Sequence, residues 1–138
     1  MLLILFLYPL LILSHNFNYC NISSSFFNDT SIILYPNPPS IGQSLNIFIY
    51  GSSLYTITNG SIIMNIYIED MLINTTKSNL CTFTSCPIKE NYIIIYNDYT
   101  IPVYMPTTVI YSIDLLFENI FNINIGCLKI FTQFHNII

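Results

Sequence analysis

Six side chains could hold a metal or carry thiol chemistry: Cys20, Cys81, Cys86 and Cys127, with His15 and His135. A structural zinc site needs four ligands at recurring close spacings such as C-x2-C, and neither histidine stands at such a spacing from the cysteines. A thioredoxin-like redox pair is C-x-x-C at the start of a helix beside a parallel sheet, which the stretch "SNLCTFTSCPIKE" (78–90) is not. The remaining chemistry is a disulfide. Cys81 and Cys86 then staple their own loop, and Cys20 pairs with Cys127 by elimination. No metal and no cofactor is expected.

Catalysis is not expected either. "YGSSLYT" lacks the second glycine of G-x-S-x-G, and neither histidine has an evident acid partner. Glu69 and Asp70 are adjacent, so on a strand they face opposite ways and cannot work as a carboxylate pair.

A disulfide reading needs an oxidising compartment. The chain opens "MLLILFLYPLLILS", whose apolar run from Leu2 to Leu13 falls short of the roughly 20 residues a bilayer helix needs and fits the core of a signal peptide. Residues 1–14 are read as that leader and 20–138 as one domain of about 120 residues, long enough for one sizeable core. Four N-glycosylation sequons agree, at Asn21, Asn28, Asn59 and Asn74, the last two placed on expected turns. The location implied is secreted, or the lumen of an endosome or lysosome.

Charge excludes further classes. Lys77, Lys89 and Lys129 are the only basic side chains against seven carboxylates, so the several cationic phosphate contacts of a nucleic-acid binder cannot be made. Charged residues are 7% of the chain and hydrophobic ones 53%, so the apolar content must fill a core or line something.

The positioning elements read as strands. "GSIIMNIYIED" (60–70) puts Ile62, Met64, Ile66 and Ile68 on one face against Ser61, Asn65, Tyr67 and Glu69. "QSLNIFIYG" (43–51) sets Leu45, Ile47 and Ile49 together, "VIYSIDLLFEN" (109–119) does so for Ile113, Leu115 and Phe117, and "NINIGCLKIF" (122–131) for Ile123, Ile125 and Cys127. Shorter strands are predicted at 31–36 and 91–97, with Pro- and Gly-marked turns between and no capped helical period. Six or seven short strands imply an all-β, two-sheet antiparallel sandwich. An immunoglobulin domain proper would pair a buried Trp with a long-range disulfide; the chain has no Trp, and Cys81 and Cys86 are too close to supply that bridge.

The succession "YPNPPSIGQSLNI", Gly51, "NGSIIM", "LCTFTSCPI", "IPVYMP", "YSIDLLF" and "IGCLKI", spanning about 31–130, resembles the ML domain, the MD-2-related lipid-recognition family with its Niemann-Pick type C2 and phosphatidylglycerol/phosphatidylinositol transfer branches. The resemblance implies an immunoglobulin-like sandwich with an apolar cavity between its sheets, and bridges like the two above. It implies a protein that carries one phospholipid or sterol between membranes, as a monomer in transient membrane contact. A cysteine pair of sterol-binding members is missing from "YPNPPSIG", and a Gly after CPI is replaced in "CPIKEN", which favours the phospholipid branch. Cavity residues under this reading are Ile62, Met64, Ile66, Ile68, Ile113 and Leu115. Val103 and Tyr104 match positions guarding the mouth, whereas the closing aromatic expected near Met71 or Leu72 is absent. The alternative is a secreted sandwich module that recognises a protein or glycan through an exposed apolar patch.

Overall fold

The computed structural model describes residues 16–20 and 25–136, so the leader at 1–14 and the Asn21 sequon lie outside the described residues. Eight strands follow in order: β1 (Phe17–Tyr19), β2 (Phe27–Tyr35), β3 (Ser44–Ser53), β4 (Gly60–Ile68), β5 (Met71–Asn79), β6 (Asn91–Thr100), β7 (Tyr111–Asn119) and β8 (Asn124–Thr132), with one 3-10 turn at Leu80–Thr82. They form a five-stranded sheet ordered β1-β8-β7-β4-β5 and a three-stranded sheet ordered β2-β3-β6, every strand pairing antiparallel. The architecture is the two-sheet sandwich read from the alternation.

Where apolar residues recur at every second position, that face turns inward. Leu45, Ile47 and Ile49 of β3 are buried, as are Ile62, Met64 and Ile66 of β4 and Ile113, Leu115 and Phe117 of β7. Strands predicted at 31–36 and 91–97 run longer, to 27–35 and 91–100. Two strands were not legible. β1 has only three residues, too few to show a period. β5 faces inward with Asn74, Thr76 and Ser78, the register partners of Ile66, Met64 and Ile62, so it shows no apolar alternation at all. Asn74 therefore stands inside a strand and not on the expected turn.

The expected grouping of Ile123, Ile125 and Cys127 is also corrected. A bulge between Phe117 and Glu118 sets Gly126 opposite Phe117, so Leu128 and Ile130 face inward opposite Leu115 and Ile113. Ile123 is left exposed in the preceding turn, and Cys127 faces the other way, beside Cys20. Gly126 is needed at this bulge, because a Cβ would come within 2.6 Å of the Phe27 ring.

Both disulfides join the expected partners. Cys20–Cys127 closes a separation of 107 residues and fastens the end of β1 to β8, where Cys20 N–H also donates to the Cys127 carbonyl at 3.0 Å. Cys81–Cys86 spans 5 residues and has a different task. Within its loop the Phe83 carbonyl accepts from Ile95 N–H at 2.9 Å, and the Thr84 hydroxyl donates to the Ile93 carbonyl at 2.7 Å. The loop thus covers the free edge of β6, which would otherwise present unpaired backbone groups.

The two bridges should differ in their effect on stability. In the chain-entropy model a loop of about 100 residues gives about 4.7 kcal/mol and a five-residue loop about 2 kcal/mol. Urea unfolding of Cys20→Ser/Cys127→Ser is expected to show the larger loss, and Cys81→Ser/Cys86→Ser a loss roughly half as large. An equal loss would mean that the short bridge holds more than its loop.

Candidate functional site

The layer between the sheets is built by register. Pairing of β4 with β7 sets Ile62 against Phe117, Met64 against Leu115 and Ile66 against Ile113, while Ile68 meets Tyr111 at the half-buried end of the strand. Facing them from the other sheet are Ile32, Leu34, Leu45, Ile47, Ile49 and Ile94, all buried. The only buried polar residue among those described is Thr132. Five of the eight residues expected to contact a ligand, Ile62, Met64, Ile66, Ile113 and Leu115, thus share one continuous uncharged interior, with Ile68 at its margin.

Val103 and Tyr104 are placed elsewhere. They are 72% and 81% exposed, because the stretch from Pro102 to Met105 closes a turn, Met105 N–H donating to the Pro102 carbonyl at 3.2 Å. Ile101 and Met105 are the members of "IPVYMP" that turn inward. Val103 and Tyr104 instead belong with Met71, Leu72 and Ile110 to an exposed apolar rim at the end of the sandwich formed by the β4–β5 and β6–β7 connections.

One side of the interior is closed in a distinctive way. β5 and β6 are edge strands of different sheets and share no ladder. Their side chains meet across the gap: Thr76 Oγ1 lies 3.1 Å from the Tyr96 hydroxyl, and Ser78 donates to Asp98 Oδ2 at 3.0 Å. The Asn74 Nδ2 atom, on the same inner face, is buried and has no hydrogen-bond partner. None of these seam residues was singled out from sequence. The alternating polar residues at 74, 76 and 78 were the available signal, masked by the expectation that strands face inward with apolar groups.

Tyrosines populate the seam and its neighbourhood in neutral form. Burial raises Tyr96, opposed by its Thr76 hydrogen bond. Tyr99 is raised by burial first and then by Tyr104, Tyr111 and Tyr96 around it. Farther along β6, burial pushes Tyr92 up to about 12 against the opposing effect of its bond to Thr30.

The lysines of the five-stranded sheet are on its outer face. Lys129 is 2.8 Å from Asp114 and lies over the Tyr67 ring at 5.8 Å, and Lys77 is 3.8 Å from Glu118. Among the described residues no group of three or more His, Cys, Asp and Glu could hold a metal ion. Among the described residues, surface hollows include two of about 410 and 440 Å³ that share Tyr92 and Ile93 in their lining.

No protein-family model matches the chain. Over 134 residues it is 29% identical to a Dictyostelium discoideum protein described as a candidate phosphatidylglycerol/phosphatidylinositol transfer protein, covering 93% of this chain and 91% of that one. Its fold is shared with a Niemann-Pick type C2 protein from the Japanese carpenter ant, at TM-score 0.62 and 16% identity over 86% of this chain and 98% of the other. Chicken MD-1, solved in complex with lipid IVa, aligns at TM-score 0.59 and 14% identity over 88% of each chain. At such identities the structural likeness establishes the fold. The resemblance to ML-domain proteins therefore holds in sequence over nearly the whole chain and in three-dimensional form.

The buried tyrosines give a pH dependence of known sign. Tyr92 is raised from 10.0 to about 12, and Tyr96, Tyr99 and Tyr111 are raised too, so the unfolded chain loses these protons first. Their stabilising contribution is complete below pH 10 and is lost between about pH 10 and 12. Unfolding midpoints should be level from pH 7 to 9 and fall steeply above 10, with a shallower fall in Tyr92→Phe. An identical fall in that variant would remove Tyr92 from the cause.

Proposed function

We propose that the chain is a lipid carrier of the ML type, which takes one phospholipid of the phosphatidylglycerol/phosphatidylinositol kind or one sterol between its sheets and moves it between membranes. The observation that carries this reading is an uncharged apolar interior whose β5–β6 side has no ladder between the two edge strands, which meet directly through side-chain hydrogen bonds. A tail entering such a layer is stabilised by about 0.8 kcal/mol per buried methylene, so a chain of about 15 methylenes gains on the order of 12 kcal/mol against the cost of parting the sheets. Parting a seam of that kind breaks no ladder, and the hydroxyls it frees can turn to water. The names of the Dictyostelium relative and of the MD-1 complex support the same reading.

Membrane contact in this reading is made by the rim of Met71, Leu72, Val103, Tyr104 and Ile110, whose exposed apolar side chains flank the seam and suit brief immersion in the interfacial zone of a bilayer. The protein works as a monomer in a secreted or endosomal and lysosomal setting, where two disulfides persist. Cavity residues are Ile62, Met64, Ile66, Ile68, Ile113 and Leu115, and glycans at Asn28 and Asn59 would be carried on exposed positions. A second reading rests on the outer face of the three-stranded sheet, where Tyr35, Tyr50, Ile93 and Ile95 are exposed and no charged residue intervenes at Phe48 or Asn46. Such a face would suit a protein or glycan partner.

Native mass spectrometry of the secreted protein separates the two, since a carrier should retain one lipid per chain and a partner-binding module none. For the rim, Val103→Asp/Tyr104→Asp should slow transfer of a fluorescent lipid between vesicles several-fold. Its unfolding midpoint should stay near the parent's, because both positions are exposed surface. Unchanged transfer would show that the rim does not touch the membrane.

A further inference from the structure

We propose that the ligand held between the sheets is an uncharged lipid whose polar end is a hydroxyl or carbonyl oxygen, and that Asn74 is the residue that selects it. This rests on the carrier reading, keeps its sterol and puts uncharged glycerolipids in place of its phospholipid.

The starting observation is an imbalance on the inner face of β5. Thr76 and Ser78 have partners in Tyr96 and Asp98, whereas Asn74 Nδ2 is inaccessible to water and unpartnered. A buried amide hydrogen without an acceptor is costly and uncommon in folded proteins. Asn74 lies opposite Ile66 and so points into the same apolar layer, only two residues beyond the exposed Leu72 of the rim. A ligand whose tail fills that layer would bring its polar end to this position. Since Nδ2 is only a donor, the matching ligand atom must be an acceptor.

Charge then decides between acceptors. A phosphate oxygen would accept the bond as readily as a hydroxyl, but a buried phosphate needs a cation beside it. Of the three lysines, Lys77 and Lys129 are on the outer face of the five-stranded sheet and paired with Glu118 and Asp114, and Lys89 is exposed in the loop before β6. The one charged group at the seam is the exposed Asp98 carboxylate, which supplies no cation for an anion. Everything else there, Asn74, Thr76, Ser78 and Tyr96, is neutral and hydrogen-bonding. Such a lining fits the hydroxyl of a sterol or the hydroxyl and ester oxygens of a diacylglycerol, and disfavours phosphatidylglycerol and phosphatidylinositol.

The same geometry bears on the sequon at Asn74. Nδ2 is the atom to which an N-glycan would be joined, and in the folded protein it faces the interior with no accessible surface. A chain that folds this way carries no glycan there.

The test uses delipidated protein made without N-glycosylation, titrated with dehydroergosterol, dioleoylglycerol, dioleoylphosphatidylglycerol and phosphatidylinositol. The parent should bind the first two, or one of them, at least tenfold more tightly than either anionic lipid. Which of the two binds more tightly tells a sterol from a diacylglycerol. Asn74→Leu, close in size, should lose about tenfold in affinity for the preferred lipid while unfolding at the same or a higher temperature, because it removes an unpaired buried donor. A merely structural Asn74 would give the opposite pair of results, lowered stability and unchanged affinity. The proposal is overturned by equal or tighter binding of an anionic lipid, by parental affinity in Asn74→Leu, or by a glycan mapped to Asn74 in folded protein from a glycosylating host. Each of those leaves the carrier reading standing, whereas binding of none of the four lipids by the parent overturns both.

Discussion

Strands of the two sheets pair only within their own sheet, so what holds one sheet to the other is the apolar layer and a few contacts at its margins. Those margins are unequal. On the β8 side, Phe26 N–H donates to the Ile125 carbonyl at 2.9 Å, Ile41 N–H to the His135 carbonyl at 2.8 Å, and His135 N–H to the Pro39 carbonyl at 2.8 Å, each joining a segment next to the three-stranded sheet to β8 or its extension. Rings reinforce that side: Phe26 and Phe27 pack on Phe117 at 5.6 and 5.2 Å, and Tyr111 stacks on Phe134 at 4.2 Å. On the β5–β6 side the described contacts between edge strands are hydroxyl and carboxylate side chains. The β8 margin thus carries backbone bonds between the two sheets' segments, whereas β5 and β6 meet directly only through side-chain bonds, backed by the Phe83 ring on Tyr96.

How much of this was legible follows from which residues carry a period. β3, β4 and β7 alternate cleanly because one face meets the core and the other meets solvent, and that is the pattern a sequence displays. The disulfides were legible because so few pairings survive once zinc and redox chemistry are excluded. The seam was hidden for the complementary reason: Asn74, Thr76 and Ser78 alternate correctly for a strand, but with polar groups inward, so no strand is read there and Asn74 is placed on a turn. In β8 the bulge breaks the period at Ile125, so counting by twos places Ile123 and Cys127 on the wrong face. Val103 and Tyr104 were found by likeness to a motif, which carries no period from which the exposure of their side chains could be read.

The polarity that obscured β5 is also what the edge requires. An apolar inner face on an edge strand would close the gap to β6 by burial, and reopening it would expose that surface to water at a cost that grows with area. Neutral hydroxyls close it with bonds that water can replace almost evenly. Buried charged groups would close it more strongly but at a desolvation cost, and the one carboxylate present, Asp98, is exposed to water. Thr76 with Tyr96 is the intermediate solution, and burial keeps that tyrosine neutral.

A sandwich that parts along one seam cannot place all its stability in the layer that parts. On the proposed carrier reading, each sheet stays intact while its inner face exchanges protein contacts for lipid. The long disulfide fastens the three-residue strand β1 to β8, an edge that three residues of ladder would hold poorly. The short disulfide shapes the loop whose Phe83 carbonyl and Thr84 hydroxyl satisfy the outer edge of β6. Phe83 also packs its ring on Tyr96 at 5.1 Å, so the loop that guards the edge backs the residue that latches the seam. Neither bridge crosses the β5–β6 gap itself. The covalent links lie within the two halves, and the direct contacts between β5 and β6 are non-covalent.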